Sequence, residues 1–229
     1  MHATRWFFDK VNIVAGCKPW CREVFYSTII DYPGAWLYVE TPGALTMALE
    51  QNDPEHIFFL HWNWIVTATD KYECVCFHMG ELPMERGGSP LQNLILMGKK
   101  RTKLNALRMT DEIDAGPVYL SVDLTLDGTA GEIYRRAMRK AARMIKRIVT
   151  ERIEPQEQEG TPGWFRRRKP DDSMIPYCTL PELYNFIRML DAEGYPKAFI
   201  NGRGFRFEFT EAVTDGETVT AQVTIGRAK

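Results

Sequence analysis

His78 and an acidic turn some thirty residues later are the groups whose types and spacing can do chemistry. His78 closes an apolar run that begins at Tyr72. In open α/β sheets, ligands bind beyond the carboxyl ends of the strands. An imidazole at such an end can take or give a proton near neutral pH. The loop that follows, Met79 to Gly88, contains Arg86, Gly87 and Gly88, and glycines let a backbone approach a ligand closely. Ser89-Pro90-Leu91-Gln92 then reads as a helix start, whose N–H groups can face an anion or an oxyanion. The acidic turn is Thr110-Asp111-Glu112-Ile113-Asp114-Ala115-Gly116-Pro117. Carboxylates at the mouth of a strand can supply a general base or tune a histidine. On residue type alone, both features also fit ordinary packing or surface roles.

The elements that must position these groups alternate along the first two thirds of the chain. Val11 to Gly16, Gly34 to Glu40, His56 to Trp62 and Tyr72 to His78 are short apolar runs, separated by helical stretches such as Pro42 to Gln51. This pattern predicts a parallel sheet covered on both faces. Leu104 to Met109 and Gly116 to Leu124 read as further strands. Thr129-Ala130-Gly131-Glu132 is a capping box for a helix reaching about Arg152. Beyond Ile153 the chain turns polar and proline-rich. Thr179-Leu180-Pro181-Glu182 then caps another helix, and two alternating runs flank Asp215-Gly216, a hairpin signal. The expected fold is α/β: a Rossmann-like, mostly parallel sheet over residues 1–152. A small extension of linker, helix and β-hairpin covers 153–229, and its edge strand can pair with a second copy as a homodimer.

Composition bounds the rest. The chain has 229 residues, 45% hydrophobic and 26% charged, the balance of a globular protein. Its net charge of -1 gives no global pull towards nucleic acid or an anionic membrane. No apolar run reaches the roughly 18–20 residues of a membrane span. Met1-His2-Ala3-Thr4-Arg5-Trp6 does not read as a signal peptide, so a cytoplasmic address is expected. The five cysteines lack paired zinc spacing, and no disulfide or metal site is expected. Cys74 and Cys76 read as small hydrophobes on one face of a buried strand.

The order of residues adds a resemblance. Phe77-His78-Met79-Gly80-Glu81-Leu82-Pro83-Met84-Glu85-Arg86-Gly87-Gly88-Ser89-Pro90-Leu91-Gln92 resembles the signature of the formyltransferase family. That family includes methionyl-tRNA, glycinamide ribonucleotide and sugar N-formyltransferases. Its motif runs Asn-x-His, four residues, Pro, and later Arg-Gly-x-x-Pro before a helix. Asp111 to Val118 is similar to the family's second element, whose last aspartate falls on Asp114. Phe165 to Ser173 and Tyr184 to Met189 resemble the region after the catalytic domain in sugar and tRNA enzymes. The resemblance spans most of residues 11–200. It implies 10-formyltetrahydrofolate as formyl donor, a primary amine as acceptor, and His78 and Asp114 as catalytic groups. The pterin would lie among Trp62, Trp64, Ile65, Val66, Arg86, Gly87, Asp111 and Ile113. Trp62 and Trp64 fit core packing equally well, and Arg86 can instead pair with Glu81 or Glu85.

One departure stands out. The family's asparagine, expected to bond the formyl oxygen, falls on Cys76, and a thiol is a weak donor. Losing one such donor costs on the order of 100- to 1000-fold in rate. His78 would then carry more of that duty, or Asn63, His61 or Cys76 itself would supply the donor, or activity has been lost. The compact length and the Gly-Gly-Ser-Pro-Leu-Gln variant resemble short sugar N-formyltransferases of nucleotide-amino-sugar (pseudaminic-type) pathways. The implied acceptor is a nucleotide-linked amino sugar, such as a UDP-4-amino-4,6-dideoxy sugar, held by Lys18, Gly88, Gln92, Asn185, Arg188 and Lys197. The alternatives are a methionyl-tRNA formyltransferase-like enzyme and an inactive formyltransferase fold kept as a binding module. The basic helix from Thr129 can track phosphates, although a solvated helix face explains it as well.

Overall fold

The computed structural model describes residues 11–67 and 69–228, so the expectation for Met1 to Trp6 lies outside the described residues. The chain forms β1 (Val11–Gly16), α1 (Pro19–Ser27), β2 (Ala35–Val39), α2 (Pro42–Gln51), β3 (His56–Leu60), β4 (Cys74–Met79), β5 (Arg86–Gly87) and α3 (Pro90–Leu96). There follow β6 (Arg101–Arg108), β7 (Val118–Thr125), α4 (Ala130–Glu151), β8 (Trp164–Phe165) and α5 (Leu180–Arg188). The strands β9 (Ala198–Gly202), β10 (Phe205–Thr214) and β11 (Val219–Arg227) complete it. The order in the main sheet is β2-β1-β3-β4-β6-β7. β1 pairs in parallel with β2 and β3, and β3 with β4, as the apolar runs predict. Beyond β4 the direction reverses. Met109 N–H donates to Cys74 O, Gly80 N–H to Lys103 O, and Arg108 N–H to Pro117 O. The acidic turn between β6 and β7 is too short for a parallel crossover, so these strands must form a hairpin.

The chain divides into two compact units. One takes the chain through Phe77, then Ala106–Leu120 and Met138–Glu157; the other takes His78–Asn105, Ser121–Ala137 and Gln158–Lys229. In the first unit, Ile13, Ala15, Val39, Leu45, Ile57, Phe59 and Cys74 form a core cluster, with Trp62, Val66, Cys76 and Met109 packed against it. The cysteines of β4 thus behave as the small hydrophobes expected of them.

In the second unit the C-terminal segment is bonded to segments from the middle of the chain. Arg188, 3% exposed, donates to the carbonyls of Leu126 and Gly128 at 2.7 and 2.9 Å. Gln92 donates to Tyr134 Oη and to Met189 O, both at 3.1 Å. Gly131 N–H donates to Asp191 O at 3.0 Å. Buried donors must find partners, and these find them across long stretches of chain. The hairpin gains a third strand, β9, in the order β11-β10-β9, so β11 is an edge carrying exposed Val223 and Ile225. Among the described residues no helix is long and apolar enough to cross a membrane.

Candidate active site

In the first unit the site gathers around the ends of β3 and β6 and the middle of β4. Cys76 is half-buried on β4. Burial pushes its thiol up from the ordinary value, and the carboxylate of Asp114 pushes it further. Cys76 is therefore a neutral S–H at working pH, facing the charge of Asp114. Asp114 takes a left-handed backbone, φ 53, which aspartate tolerates better than most residues. The turn that carries it is anchored at its neck. Arg108 Nε donates to Glu73 Oε1 at 2.7 Å, Tyr119 Oη donates to the same carboxylate, and Arg108 donates to Tyr119 Oη at 3.2 Å.

Of the apolar residues expected to meet the pterin, Trp62 and Val66 pack against the core cluster, while Trp64, Ile65 and Ile113 stay exposed. Trp64 is 45% exposed, Ile65 94% and Ile113 68%, while Trp62 packs edge-on to Trp64 at 4.8 Å. Asp111 is exposed beside them in sequence. At the carboxyl ends of β1 and β3, Cys17 Sγ donates to His61 O at 2.9 Å and Asn63 Nδ2 donates to Cys17 Sγ at 3.4 Å. The His61 ring packs against Trp20, with centroids 5.4 Å apart. Those contacts tie Asn63 and His61, the expected replacement donors, to the segment where Lys18 precedes α1.

In the second unit, His78 is 4% exposed, and its Nε2 lies 2.6 Å from Glu85 O. The glycines after it serve the chain itself. A Cβ on Gly87 would stand 2.6 Å from Phe165 O, and one on Gly88 would stand 2.5 Å from Arg167 Cβ. The close approach at Gly87 and Gly88 is therefore by residues 165–167, where a ligand was expected. Ser89 does not cap α3. Its hydroxyl accepts from Arg168 N–H at 3.1 Å, and Asn93 Nδ2 donates to Gly88 O, Ser89 O and Arg166 O. Arg86 is 7% exposed; it donates twice to Gln158 Oε1 and lies over the Trp164 ring. Asn185 accepts from Arg188 Nε, and Lys197 bonds Asp191 and Ala192 O. Together with Gln92 and Arg188, these side chains hold the fold by the bonds described. Nothing in their residue types separates that duty from sugar binding. Asn105, Glu85 and Lys99, which shape the loop after His78, were missed. A polar residue at a core position of β6 was the one signal available, at Asn105. Among the described residues no group of three or more His, Cys, Asp or Glu is placed to hold a metal ion.

Comparison with known proteins adds to this geometry. The family profile described as Methionyl-tRNA formyltransferase, C-terminal domain, matches residues 170–226. A solved methionyl-tRNA formyltransferase from Clostridium thermocellum is 38% identical with a TM-score of 0.90, covering 96% of this chain and 100% of that one. The chain belongs to the formyltransferase family. Methionyl-tRNA formyltransferase from Bacillus cytotoxicus is 26% identical over 162 residues, 62% of this chain and 52% of the relative. This formyltransferase-family chain thus spans about half the length of the curated relatives it matches. A sugar N-formyltransferase from a Shewanella species has a TM-score of 0.63 at 13% identity, covering 88% of this chain and 97% of that one, and shares the fold alone. The expected closeness to sugar enzymes gains no more than that fold. Near the C-terminal strands, Tyr195 stacks on Tyr134 at 5.5 Å, and Lys197, expected to hold the sugar, is tied to Asp191.

Proposed function

We propose that this chain transfers a formyl group from 10-formyltetrahydrofolate to the amine of an aminoacylated tRNA, as a methionyl-tRNA formyltransferase does. The observation that carries this reading is the 38% identity to the Clostridium thermocellum enzyme along that chain's whole length. The exposed Trp64, Ile65 and Ile113 suit the flat, largely apolar face of a pterin. On α4, Arg139, Arg143, Lys146 and Arg147 face solvent and supply cations for phosphates. The bound folate supplies an activated formyl carbon. His78 meets the negative charge that develops on the formyl oxygen, and Asp114 helps take the proton of the attacking amine.

The acceptor is tested by direct competition. With 10-formyltetrahydrofolate present, methionyl-tRNA should be formylated, and UDP- and dTDP-linked amino sugars should not. Binding of tRNA should weaken with salt at a log–log slope of about -3, as expected for a few phosphate contacts. Sugar formylation with no effect of tRNA would overturn the acceptor assignment. Binding of folate and acceptor without turnover would mark an inactive binding module.

Cys76 gives a second check on the centre. Cys76→Asn restores a strong donor where the family has one, so kcat/KM is expected to hold or rise, by up to about tenfold. A collapse of kcat/KM in a folded variant would mean the site has rebuilt itself around the thiol.

A further inference from the structure

The contact between His78 and Glu85 decides where the histidine carries its proton. Nε2 lies 2.6 Å from a backbone carbonyl oxygen, and a carbonyl can only accept. Nε2 must therefore be the N–H, in the neutral and in the charged ring alike. The proton that comes and goes is the one on Nδ1.

That carbonyl is held firmly. Glu85 is 6% exposed, and its carboxylate accepts from Glu81 N–H at 2.7 Å and from Lys99 Nζ at 2.5 Å. Lys99 also lies 3.6 Å from the Glu81 carboxylate. Burial draws the Lys99 ammonium down, but Glu85 and Glu81 outweigh it and leave it raised and charged. The start of the loop is fixed as well. Asn105 Nδ2 donates to Gly80 O at 2.7 Å, and Gly80 N–H to Lys103 O at 2.9 Å. Only a glycine leaves room for the arrangement. A Cβ on Gly80 would stand 2.8 Å from Glu85 O and 3.2 Å from His78 Nε2.

We propose that Glu85, clamped by Lys99, is a positioning residue that locks His78 with its proton on Nε2, so that all proton exchange by this histidine runs through Nδ1. The proposal deepens the formyl-transfer reading and rests on it for its catalytic meaning. During the reaction the amine lone pair forms the bond to the formyl carbon, and the bond from that carbon to the donor nitrogen breaks. The proton lost by the amine is returned to the leaving nitrogen. Any share of that relay taken by His78 passes over Nδ1, and only the charged ring, with its second N–H on Nδ1, can donate to the formyl oxygen while Nε2–H stays on Glu85 O.

The test is nitrogen-15 NMR of the intact chain labelled at histidine, without folate or acceptor. His78 should show a protonated Nε2 on both sides of its titration, with Nδ1 alone changing. A neutral His78 protonated on Nδ1 would overturn the proposal, whatever the enzyme assay says. Lys99→Met, shown to be folded by its melting curve, should yield a mixed tautomer population and lower kcat about tenfold with KM little changed. It should also shift the pH profile of kcat. A folded Lys99→Met with unchanged tautomer and unchanged pH profile would remove Glu85 and Lys99 from any positioning role. If Nε2–H is found but no acceptor is formylated, the lock stands and the functional reading falls.

Discussion

His78→Ala and Asp114→Asn are each expected to reduce formyl transfer by about 100- to 10,000-fold, the range over which a positioned acid or base acts. The asparagine variant isolates charge from shape, because asparagine also tolerates the left-handed backbone at φ 53. It removes the carboxylate that faces the Cys76 thiol, so the Cys76 thiol should titrate lower than in the parent. Single-turnover formylation measures the first effect, and thiol alkylation against pH measures the second. Parental rates in either folded variant would remove that residue from the reacting centre. His78 is almost fully buried, so circular dichroism and a melting curve must accompany the alanine variant.

Gly116→Ala is expected to be the most damaging small change in the first unit. A Cβ at this position would stand 1.9 Å from Arg108 O, a backbone atom, and 3.2 Å from Thr110 Cγ2. Backbone cannot swing aside as a side chain does, so the neck of the acidic turn must open. Opening breaks the pairing of Arg108 N–H with Pro117 O and loosens Arg108 from Glu73 and Tyr119. A loss of about 3 kcal/mol is expected, from overpacking together with one or two lost hydrogen bonds. Thermal and urea unfolding check it. A melting temperature within a degree or two of the parent would show that the turn adapts. Activity should fall with stability, because Asp114 rides on the same turn.

Much of this was legible in the residues, for local reasons. α2 begins and ends where Pro42 and Gln51 suggested, because Thr41 Oγ1 caps Ala44 N–H at 3.2 Å and proline takes the first turn. The capping boxes at Thr129 and Thr179 form with Glu132 and Glu182. The apolar runs mark β1, β3 and β4 because continuous burial leaves its own signature. Strand direction past β4 is not legible in the apolar runs, since such a run looks alike in either direction and only the shortness of the connection tells them apart. Ser89 misled for a different reason. A serine before proline caps a helix unless its hydroxyl has a better partner, and Arg168 N–H is 79 residues away in sequence. Partners of Gln92 and Arg188 also lie far off in sequence, 42 and 97 residues away for Gln92 and 62 and 60 for Arg188, so side chains that hold the fold resembled side chains that could hold a sugar. At the candidate site, the motif pointed to His78 and Asp114. No motif could point to the carbonyl of Glu85, because a backbone oxygen has no letter.

The division of the chain bears on how such a protein can change over time. The chain passes from one unit to the other after Phe77, Asn105, Leu120, Ala137 and Glu157. A tail hung on a linker can be traded by recombination at a single joint. Here residues 158–229 share their interior with segments from the middle of the chain, so no single cut frees them. A new acceptor preference would have to arise by substitution in place, each step tested against the packing of Gln92, Arg188 and Asp191. Specificity in this lineage would therefore drift slowly, under the same selection that keeps the chain folded.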